Sequence, residues 1–398
     1  MTAEEKLQVE QLQDAILQIA AKWKPPLTAA TQAAFRAMPR HAFVKSYLSG
    51  DKMVNLTPEN LPNQLPAIYK DGPLNLWKVH AKGQHSTISQ PTLVLKMLDL
   101  LSLAEGHRVF EVGAGSGWNA AMMSYMVGTS GRVYSAEIIP EMAERARQVI
   151  ADRGISNLEI VTGDAGDGYA EGAPFDRAVF TAGSYDLPRA FHEQVRVGGL
   201  LLMVVKVEGG GDQLILLEKT PDFFESKSGS ICGFVPMTGK HAFAAGNPGL
   251  LDALPDWSEL ARREVNRRPF WWGGSEESSS WAAIGVRSFL SIVEPRFRVF
   301  RDEASNGQDP RNWFCGLFDP ETRSIAIARK GELVSYGNVT ARDQLVARLH
   351  EWIDLGMPSV TAMRLRIFPT DAKVLVEEGE WLVKRNESSF VWSLKRPF

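Results

Sequence analysis

The segment GQHSTISQPTLVL, residues 83–95, places a cluster of hydroxyl side chains immediately before an apolar run. The hydroxyl residues are Ser86, Thr87, Ser89 and Thr92. Hydroxyl groups can orient an anion without protonating it, so the segment could hold a carboxylate. The alternative is that Ser89 or Gln90 only caps a helix that begins at Pro91. The segment alone does not decide between a binding site and an ordinary helix start.

A glycine-rich stretch, VFEVGAGSGW at residues 109–118, lies where an apolar strand pattern gives way to a helix pattern. Glycines at such a turn let a ligand approach the backbone, and the helix start offers free N–H groups. An acid, Glu111, comes first, and the glycines follow it at every second position: Gly113, Gly115 and Gly117. A dinucleotide site usually reads GxGxxG instead. A turn without a ligand remains the alternative for this stretch taken alone.

Two more acids follow the next strands and sharpen the interpretation. Glu137 ends the strand VYSA about 20 residues after the last glycine, where a carboxylate can accept hydrogen bonds from a ribose diol. Asp164 follows the next strand and could accept from an adenine amino group. Glu111 could meet an ammonium group. S-adenosylmethionine combines these features without a phosphate, so the series predicts a methyltransferase site.

The elements that must position these residues alternate between strand and helix. Predicted strands are 108–112, 132–136, 158–161, 177–181 and 200–205, with helices from Pro91 and over 119–126, 140–151 and 188–195. Further strands are expected at 213–218 and 234–237. This pattern predicts an α/β fold of the Rossmann-like type, with a mostly parallel sheet and helices on both faces.

The chain divides into three predicted regions. Residues 1–75 hold helices near 4–23 and 28–37 followed by an irregular connection, and residues 76–240 form the cofactor-binding domain. Residues 241–398 are rich in Trp and predict a second α+β domain. Its expected elements are strands at 324–329, 360–368, 374–377 and 390–394, a helix over 341–355 capped by Thr340, and an exposed loop at 273–280. Most of its aromatic side chains are expected to form its core.

Composition limits the functional class. The formal net charge is −3 and the pI about 6.2, so neither nucleic acid nor an anionic membrane is an expected partner. Cys232 and Cys315 lack disulfide or zinc spacing, so no metal site is expected. The N-terminus does not match a signal peptide, and no apolar run is long enough to span a bilayer. We expect a soluble cytoplasmic protein, monomeric as a first assumption.

The ordered series of motifs resembles the protein-L-isoaspartate O-methyltransferases over roughly residues 30–240. The matching segments are MPRHAFV (38–44), AIYKDGPL (67–74), GQHSTISQP (83–91), FEVGAGSGWNAA (110–121), GD (163–164), APFDRAVFTA (173–182), EQVRVGG (193–199), DQLILLEK (212–219) and FVPM (234–237). The order of the segments along the chain, more than any one of them, makes chance agreement improbable.

The resemblance implies S-adenosyl-L-methionine as cofactor, S-adenosyl-L-homocysteine as product, and Ser89 as the active-site serine. The implied cofactor-binding residues are Ser86, Thr87, Ile88, Ser89, Glu111, Gly113, Ala114, Gly115, Gly117, Glu137, Ile138, Asp164, Ala165, Thr181 and Gln213. The implied substrate-binding residues are His85, Ser86 and Thr87. Two departures stand out: GDAGDG (163–168) replaces the usual GDG, and His85 and Ser86 are inserted relative to GQTIS.

The extension after residue 240 is additional to typical members of this family. It favours a dedicated partner, and the resemblance then implies an enzyme that methylates an Asp side chain of a ribosomally made, constrained peptide. The ester would close to an aspartimide. Three alternatives stay open: isoaspartyl protein repair, a nucleic-acid amino-methyltransferase, and a non-catalytic protein that binds the cofactor or a peptide. TAGSYD (181–186) stands where an amino-methyltransferase would carry a D/N-P-P-Y-type motif, which makes that alternative weak.

Overall fold

The computed structural model of the 398-residue chain describes residues 2–79, 84–207, 212–242, 249–254, 256–271, 281–301 and 313–394. The loop predicted at 273–280 lies outside the described residues. Within them, the helices are α1 Ala3–Ala20, α2 Ala29–Ala37, α3 Leu61–Ile68, α4 Pro91–Leu101, α5 Trp118–Val127, α6 Pro140–Asp152, α7 Arg189–Gln194, α8 Trp257–Leu260, α9 Trp281–Val293 and α10 Thr340–Asp354.

The strands fall into two sheets and two separate hairpins. They are β1 Ser46–Ser49, β2 Lys52–Asn55, β3 Leu74–Val79, β4 Gln84–Ile88, β5 Arg108–Val112, β6 Arg132–Glu137, β7 Leu158–Thr162, β8 Phe175–Phe180, β9 Val195–Val205, β10 Asp212–Lys219, β11 Phe224–Cys232, β12 Gly249–Leu250, β13 Glu264–Pro269, β14 Phe297–Arg301, β15 Trp313–Asp319, β16 Ser324–Arg329, β17 Glu332–Tyr336, β18 Met363–Pro369, β19 Glu380–Lys384 and β20 Ser388–Leu394.

The large sheet has the strand order β19-β20-β18-β11-β10-β9-β8-β5-β6-β7. Its parallel part, β9-β8-β5-β6-β7, is the predicted Rossmann-like core. Alternate residues of each strand face opposite layers: Leu202 and Val204 pack towards α4, α5 and α6, whereas Leu201 and Met203 pack towards α7 and the C-terminal residues. Both faces are therefore covered, which is why these strands read as continuous apolar runs.

Helices at the N-terminus pack on the same layer as α4 and α5. The start of α1 is closed by a capping box, in which Thr2 Oγ1 accepts from the Glu5 amide at 3.2 Å and the Glu5 carboxylate accepts from the Thr2 amide at 2.7 Å. The helix predicted over 28–37 is α2, and Thr28 is its N-cap instead of its first residue. In the described part of the chain, no helix combines the length and apolar character that crossing a membrane requires.

The C-terminal residues form a second sheet, in the order β12-β14-β15-β16-β17-β13. Helices α9 and α10 lie between this small sheet and the end of the large one. Trp352 and Trp392 are almost fully buried, and Trp381 packs edge-on against Phe289 at 5.6 Å. These tryptophans belong to the core, as expected for most of the aromatic residues. Trp271 is an exception, with 47% of its surface exposed.

The C-terminal residues also extend the large sheet. Strand β18 pairs with β11 at Phe224–Ile367 and Glu225–Arg366, and β20 and β19 follow outwards. Ile215 and Leu217 share one hydrophobic core with Leu365 and Ile367. The predicted boundary at residue 240 therefore separates two stretches of sequence that share a sheet and a core.

Several predicted elements differ in the structure. The connection expected to be irregular within residues 1–75 contains the strand β2 and the helix α3. Residues 234–237 form no strand: Pro236 makes one isolated bridge to Gly183, and the strand that pairs with β10 is β11. Thr340 is the first residue of α10 instead of its cap, because the helix begins one residue earlier than predicted, with Val339 at the cap position and the Asn338 side chain accepting from the Thr340 amide at 2.9 Å. Residues 374–377 are irregular, and the neighbouring strand is β19.

We predict that Ile367→Ala lowers the free energy of unfolding of the whole chain by about 3 kcal/mol, because it opens a cavity in the shared core. The measurement is urea unfolding followed by Trp fluorescence and by circular dichroism. The control, Val265→Ala, changes a side chain that is 47% exposed and should cost under about 0.5 kcal/mol. Two separate transitions, with only one of them shifted by Ile367→Ala, would contradict a shared core.

Candidate active site

The glycine loop joins β5 to α5 at the carboxyl edge of the sheet. Gly113, Gly115 and Gly117 have φ of 96°, 53° and 80°, a region that side chains rarely adopt. A Cβ atom on Gly113 would also lie only 2.7 Å from Thr181 Oγ1. Thr181 follows β8, and its hydroxyl lies 2.6 Å from the carbonyl of Gly113 and 2.9 Å from that of Val112. The predicted residue Thr181 therefore holds the loop through its backbone.

Glu137 lies beside this loop at the end of β6. Its carboxylate accepts from the amide of Gly115 at 2.9 Å and from the amide of Ile139 at 3.1 Å. Burial raises the pKa of this carboxyl, and the amide hydrogen bonds act in the opposite direction. Each carboxylate oxygen has two lone pairs, so acceptor sites remain for a ligand diol.

Asp164 follows β7 by two residues and precedes the buried Ala165. One carboxylate oxygen of Asp164 accepts from the Gly166 amide at 3.0 Å, and the other accepts from the Lys240 amide at 2.8 Å. Ile138, one residue after Glu137, is half-buried and lies on the same side of the edge: a Cβ atom on Gly239 would be 2.3 Å from Asp164 Oδ2 and 2.5 Å from Ile138 Cδ1. The structure thus brings together Glu137 and Asp164, the two acids of the strand-end series, with Ile138, which the resemblance implies.

Glu111 is fully buried beneath the glycine loop and does not lie on the open edge. It accepts from Ser135 Oγ at 2.5 Å and from Asn119 Nδ2 at 2.6 Å. Burial raises the pKa of Glu111 to about 7, against the opposing effect of these two hydrogen bonds. Glu111 therefore lies where it can support the glycine loop, and not at the edge where direct contact with an ammonium group was expected. The reason is that β5 directs this side chain into the layer of α4, α5 and α6.

The hydroxyl segment is a strand and not part of the helix start. Residues 84–88 form β4, which pairs with β3, with Ser86 opposite Trp77 and His85 opposite Lys78. A Cβ atom on Gly115 would lie 3.7 Å from the carbonyl oxygen of Thr87 and 4.0 Å from Ser86 Oγ. The hairpin therefore places Ser86 and Thr87 against the glycine loop, and the inserted residues His85 and Ser86 lie within its paired part.

The cap of α4 comes from a residue outside the segment. Asp71 accepts from the Thr92 amide at 3.1 Å, from Thr92 Oγ1 at 2.9 Å and from Gln90 Nε2 at 3.1 Å. Neither Ser89 nor Gln90 caps the helix with its side chain. The hydroxyl of Ser89 has no hydrogen-bond partner among the described residues. The expectation that this hydroxyl cluster caps the helix is wrong, because Asp71 already occupies the helix start.

Arg40 fixes the backbone on which Ser89 stands. Its buried guanidinium donates to the carbonyls of Ile88 at 3.0 Å, Ser89 at 2.9 Å and Gly72 at 3.1 Å, and also to those of Ile68 and Lys70. It lies 5.5 Å from the ring centroid of Trp118, the first residue of α5. Burial lowers the pKa of Arg40 to about 10, against the charge of Asp71. Sequence reasoning assigned Arg40 no role, since nothing local indicates contact with a carbonyl 49 residues away.

Gln213 is not brought to the glycine loop. It lies on β10, three strands from β5 in the sheet order, about 14 Å away at normal strand spacing. Its side chain is 3% exposed, and its amide nitrogen has no partner in the described structure. It lines a crevice with Ser228, Ser230 and Thr361. Because β10 is antiparallel, Gln213 near its start lies at the same edge of the sheet as the last residue of β9, Val205, but the intervening strands β9 and β8 separate it from the glycine loop.

The arrangement fits an adenosine-containing ligand better than a dinucleotide. Carboxylates stand at successive strand ends, and the glycine loop presents a backbone that closely approaching ligands require. The glycines are followed by Trp118, whose ring is buried against α2 through Phe35 and whose Nε1 donates to the Met38 carbonyl at 2.8 Å.

A model of the protein-L-isoaspartate(D-aspartate) O-methyltransferase family matches residues 28–242, more than half of the chain. The match begins at α2 and covers the hairpin, the glycine loop and the acids described above. The chain belongs to the protein-L-isoaspartate(D-aspartate) O-methyltransferase family. It is therefore a methyltransferase, and its cofactor is S-adenosyl-L-methionine.

Relatives agree with this assignment. The chain is 37% identical to protein-L-isoaspartate O-methyltransferase 2 of Archaeoglobus fulgidus over 211 residues, 53% of this chain and 85% of the relative. It is 40% identical to a protein-L-isoaspartate O-methyltransferase of Methanothrix thermoacetophila over 184 residues, 46% of this chain and 83% of the relative. These matches make the family membership independent of any one motif.

One solved structure of a protein-L-isoaspartate O-methyltransferase is similar in fold, with a TM-score of 0.53 at 20% identity. The likeness covers 89% of this chain and 96% of that chain, so it reaches beyond residues 28–242 into the C-terminal residues. The predicted fold, a Rossmann-like methyltransferase with an added C-terminal α+β part, is confirmed.

We predict that Arg40→Met lowers the free energy of unfolding by about 3–5 kcal/mol, since buried carbonyls lose charged donors. Arg40→Lys should recover only part of this, because one ammonium group cannot reach all five carbonyls. The control is Arg36→Met, which removes a surface ion pair to Asp14 and should cost at most about 1 kcal/mol. Urea unfolding measures all three. Equal losses for Arg36→Met and Arg40→Met would contradict the role given to Arg40.

We predict that Glu111→Gln has a higher free energy of unfolding than wild type at pH 8, and that this advantage is smaller or absent at pH 5. The pKa of Glu111 is raised to about 7, so its ionisation destabilises the folded state progressively as pH rises from about 4.5 to above 7. The full effect is at most about 3 kcal/mol. Urea unfolding of wild type and variant at both pH values gives the difference. A variant effect that does not change with pH would refute the buried, titrating carboxyl.

Proposed function

We propose that the chain methylates the free carboxylate of an isoaspartyl residue in a peptide or protein, with Ser89 at the acceptor position. One observation carries the proposal. The hairpin β3–β4 sets Ser86 and Thr87 against the glycine loop, and the neighbouring Ser89 keeps its hydroxyl uncommitted while Asp71 caps the helix. The segment thus has a hydroxyl available to a ligand at the edge where the cofactor residues gather.

A carboxylate acceptor needs no general base, because it is already ionised at neutral pH. When bound, S-adenosyl-L-methionine supplies an electrophilic methyl group on a sulfonium centre. The task of the chain is to align the carboxylate, exclude water and replace its lost solvation. Ser89 is suited to this task because a hydroxyl donates to an anion without protonating it. The serine is held in place by the bond from Arg40 to its carbonyl.

The start of α4 contributes less to anion binding than its position suggests. Pro91 has no N–H, and the Thr92 amide is bound by Asp71. The Asp71 carboxylate also offsets the positive end of the helix dipole. Anion binding at this edge therefore rests on side-chain hydroxyls, Ser89 first and Thr87 and Ser86 beside it.

The cofactor is assigned to the neighbouring residues. Glu137 would take the ribose, and Asp164, Ala165 and Ile138 would take the adenine. The backbone of Gly113, Ala114, Gly115 and Gly117 would take the methionine part. We propose Thr181 and Glu111 as supports of that loop, since Thr181 binds its carbonyls and Glu111 lies beneath it. Gln213 is left out of this set because of its distance.

The isoaspartyl acceptor is favoured by the family and by the names of the relatives. Methylation of an ordinary Asp in a constrained, ribosomally made peptide, followed by aspartimide closure, stays a prediction. Its support was the C-terminal extension, and the fold likeness to a solved structure reaches into that extension. The extension therefore does not by itself distinguish the two acceptors.

Three peptides of one sequence separate these acceptors: linear with isoaspartate, linear with aspartate, and cyclised with aspartate. We expect methyl ester, followed by loss of methanol, from the isoaspartyl peptide alone, measured by mass spectrometry. Methylation of the cyclised Asp peptide alone would instead favour peptide tailoring. Absence of transfer to all three, with S-adenosyl-L-homocysteine still bound, would contradict both acceptors.

We predict that Ser89→Ala lowers kcat for the isoaspartyl peptide about 10- to 100-fold, the range of a lost positioning contact. Its affinity for S-adenosyl-L-homocysteine should stay within about threefold, because that hydroxyl faces the acceptor. The matched control is Thr92→Val, which removes a hydroxyl bound to Asp71 and should cost about 1 kcal/mol of stability with kcat nearly unchanged. If Ser89→Ala instead lowered stability with kcat nearly unchanged, and Thr92→Val lowered kcat, Ser89 would be the structural residue.

A further inference from the structure

The residues after Met237 lie across the adenine side of the proposed cofactor site. Residues 238–242, here called the strap, follow a segment anchored to the end of β8, where the Met237 amide donates to the Gly183 carbonyl at 2.8 Å and the Gly183 amide donates to the Val235 carbonyl at 2.7 Å. The strap therefore starts from a fixed point at the carboxyl edge of the sheet.

The strap contacts the predicted adenine residues directly. The Lys240 amide donates to Asp164 Oδ2 at 2.8 Å. Gly239, with φ of 93°, fits between Asp164 and Ile138, where any Cβ atom would overlap both. The ammonium group of Lys240 pairs with Asp167. The position of the strap thus sets which atoms of Asp164 a ligand can reach.

His241 joins the strap to two other parts of the chain. Its Nε2 lies 3.1 Å from Asp167 Oδ1, and its Nδ1 lies 2.7 Å from Glu387 Oε1. The ring lies close to Gly166, where a Cβ atom would be 2.2 Å from His241 Cδ2. This contact gives a structural reason for GDAGDG in place of the usual GDG. Gly166 leaves room for the His241 ring, and Asp167 binds that ring.

Glu387 belongs to the turn between β19 and β20, in the C-terminal extension of the large sheet. Its amide donates to Asp186 Oδ2 at 2.8 Å, and its Oε2 accepts from the Arg189 amide at 3.0 Å, at the start of α7. The turn is fixed by these bonds. His241 thus connects the adenine side of the site to the last hairpin of the chain.

Acidic groups surround the imidazole from each neighbouring element: Asp167 and Asp164 from the loop after β7, and Glu387 from the hairpin. Lys240 is the nearby cation of the strap, and the Arg189 guanidinium pairs with Glu193 and Asp371. Burial acts to lower the pKa of His241, but the hydrogen bonds to Asp167 and Glu387 and the charges of Glu387 and Asp164 outweigh it and raise the pKa.

We propose that His241 is a positioning residue for the cofactor site: as an imidazolium it ties the strap to both Asp167 and Glu387, so that the C-terminal hairpin holds Lys240 against Asp164 and favours cofactor binding. The proposal rests on the cofactor site proposed above. Both ring N–H groups donate when the imidazole is protonated. When it is neutral, one ring nitrogen faces a carboxylate without a proton, and the tie weakens.

The proposal predicts that cofactor affinity falls as pH rises. The tie is fully present below the unperturbed imidazole pKa of about 6.5 and is lost as pH rises through the raised value. Calorimetric titration of S-adenosyl-L-homocysteine into the full chain between pH 6 and 8.5 tests this. For wild type we expect affinity to fall by about tenfold across the range, a normal size for coupling between sites.

Three variants identify the group responsible. His241→Gln cannot titrate, so its affinity should be lower than that of wild type at pH 6 and close to it at pH 8.5. Glu387→Gln keeps the shape but removes one charge, and should move the midpoint of the affinity change to lower pH. The matched control is Glu193→Gln, a carboxylate that pairs with Arg189 and does not contact His241. Glu111 titrates in every variant, so its contribution is common to all four curves.

Hydrogen exchange of the Lys240 amide gives a readout that does not depend on the cofactor. We expect it to be protected at pH 6 in wild type and less protected in His241→Gln after correction for intrinsic rates. Wild-type-like affinity curves and exchange in both His241→Gln and Glu387→Gln would overturn the proposal. If wild type bound no S-adenosyl-L-homocysteine at any pH, the proposed cofactor site itself would fail, a distinct outcome.

Discussion

The guanidinium of Arg40 is the interaction on which the acceptor side of the site depends. Among the described residues it has no carboxylate partner, and its two terminal nitrogens, but not the buried Nε, donate to backbone carbonyls from two separate stretches, Ile68–Gly72 and Ile88–Ser89. A charged group in this position is tolerated only because its hydrogen bonds are made. The price of removing it would be unsatisfied carbonyls in the same segment that carries Ser89, so stability and geometry of the site are coupled.

The requirement that buried polar groups be paired also explains which residues close the start of α4 and which remain available to a ligand. Buried donors must find acceptors, and the Asp71 carboxylate accepts from the N–H and the hydroxyl of the buried Thr92. The stretch Lys70–Gly72 therefore serves twice: its carbonyls bind Arg40, and its carboxylate closes the helix. Because other residues bind Arg40 and close the helix, Ser89 has a fixed backbone and a hydroxyl that no described residue binds. That combination is what a residue that orients an anion needs.

Much of the fold could be predicted from the sequence because its parallel strands are buried on both faces and their turns carry glycine. The acids Glu137 and Asp164 were found for the same reason, since strand ends on one edge must meet. The failures involve residues whose position is set by distant partners. The strand β4 exists through pairing with β3, the first amide of α10 is bound by the Asn338 side chain, and Gln213 lies on a strand three positions from β5. No local pattern encodes such pairings, and Arg40 belongs with them.

The C-terminal residues are better understood as a continuation of the methyltransferase sheet than as an attached module. Strand β18 extends the edge at β11, and the side chains of β18 and β20 complete a core that Ile215 and Leu217 begin. Once that edge is extended, the β19–β20 turn must lie close to α7, where Glu387 binds the Arg189 amide. This places a carboxylate within reach of His241 and makes the replacement of GDG by GDAGDG intelligible. The departure from the family pattern and the extension of the chain are thus two parts of one contact.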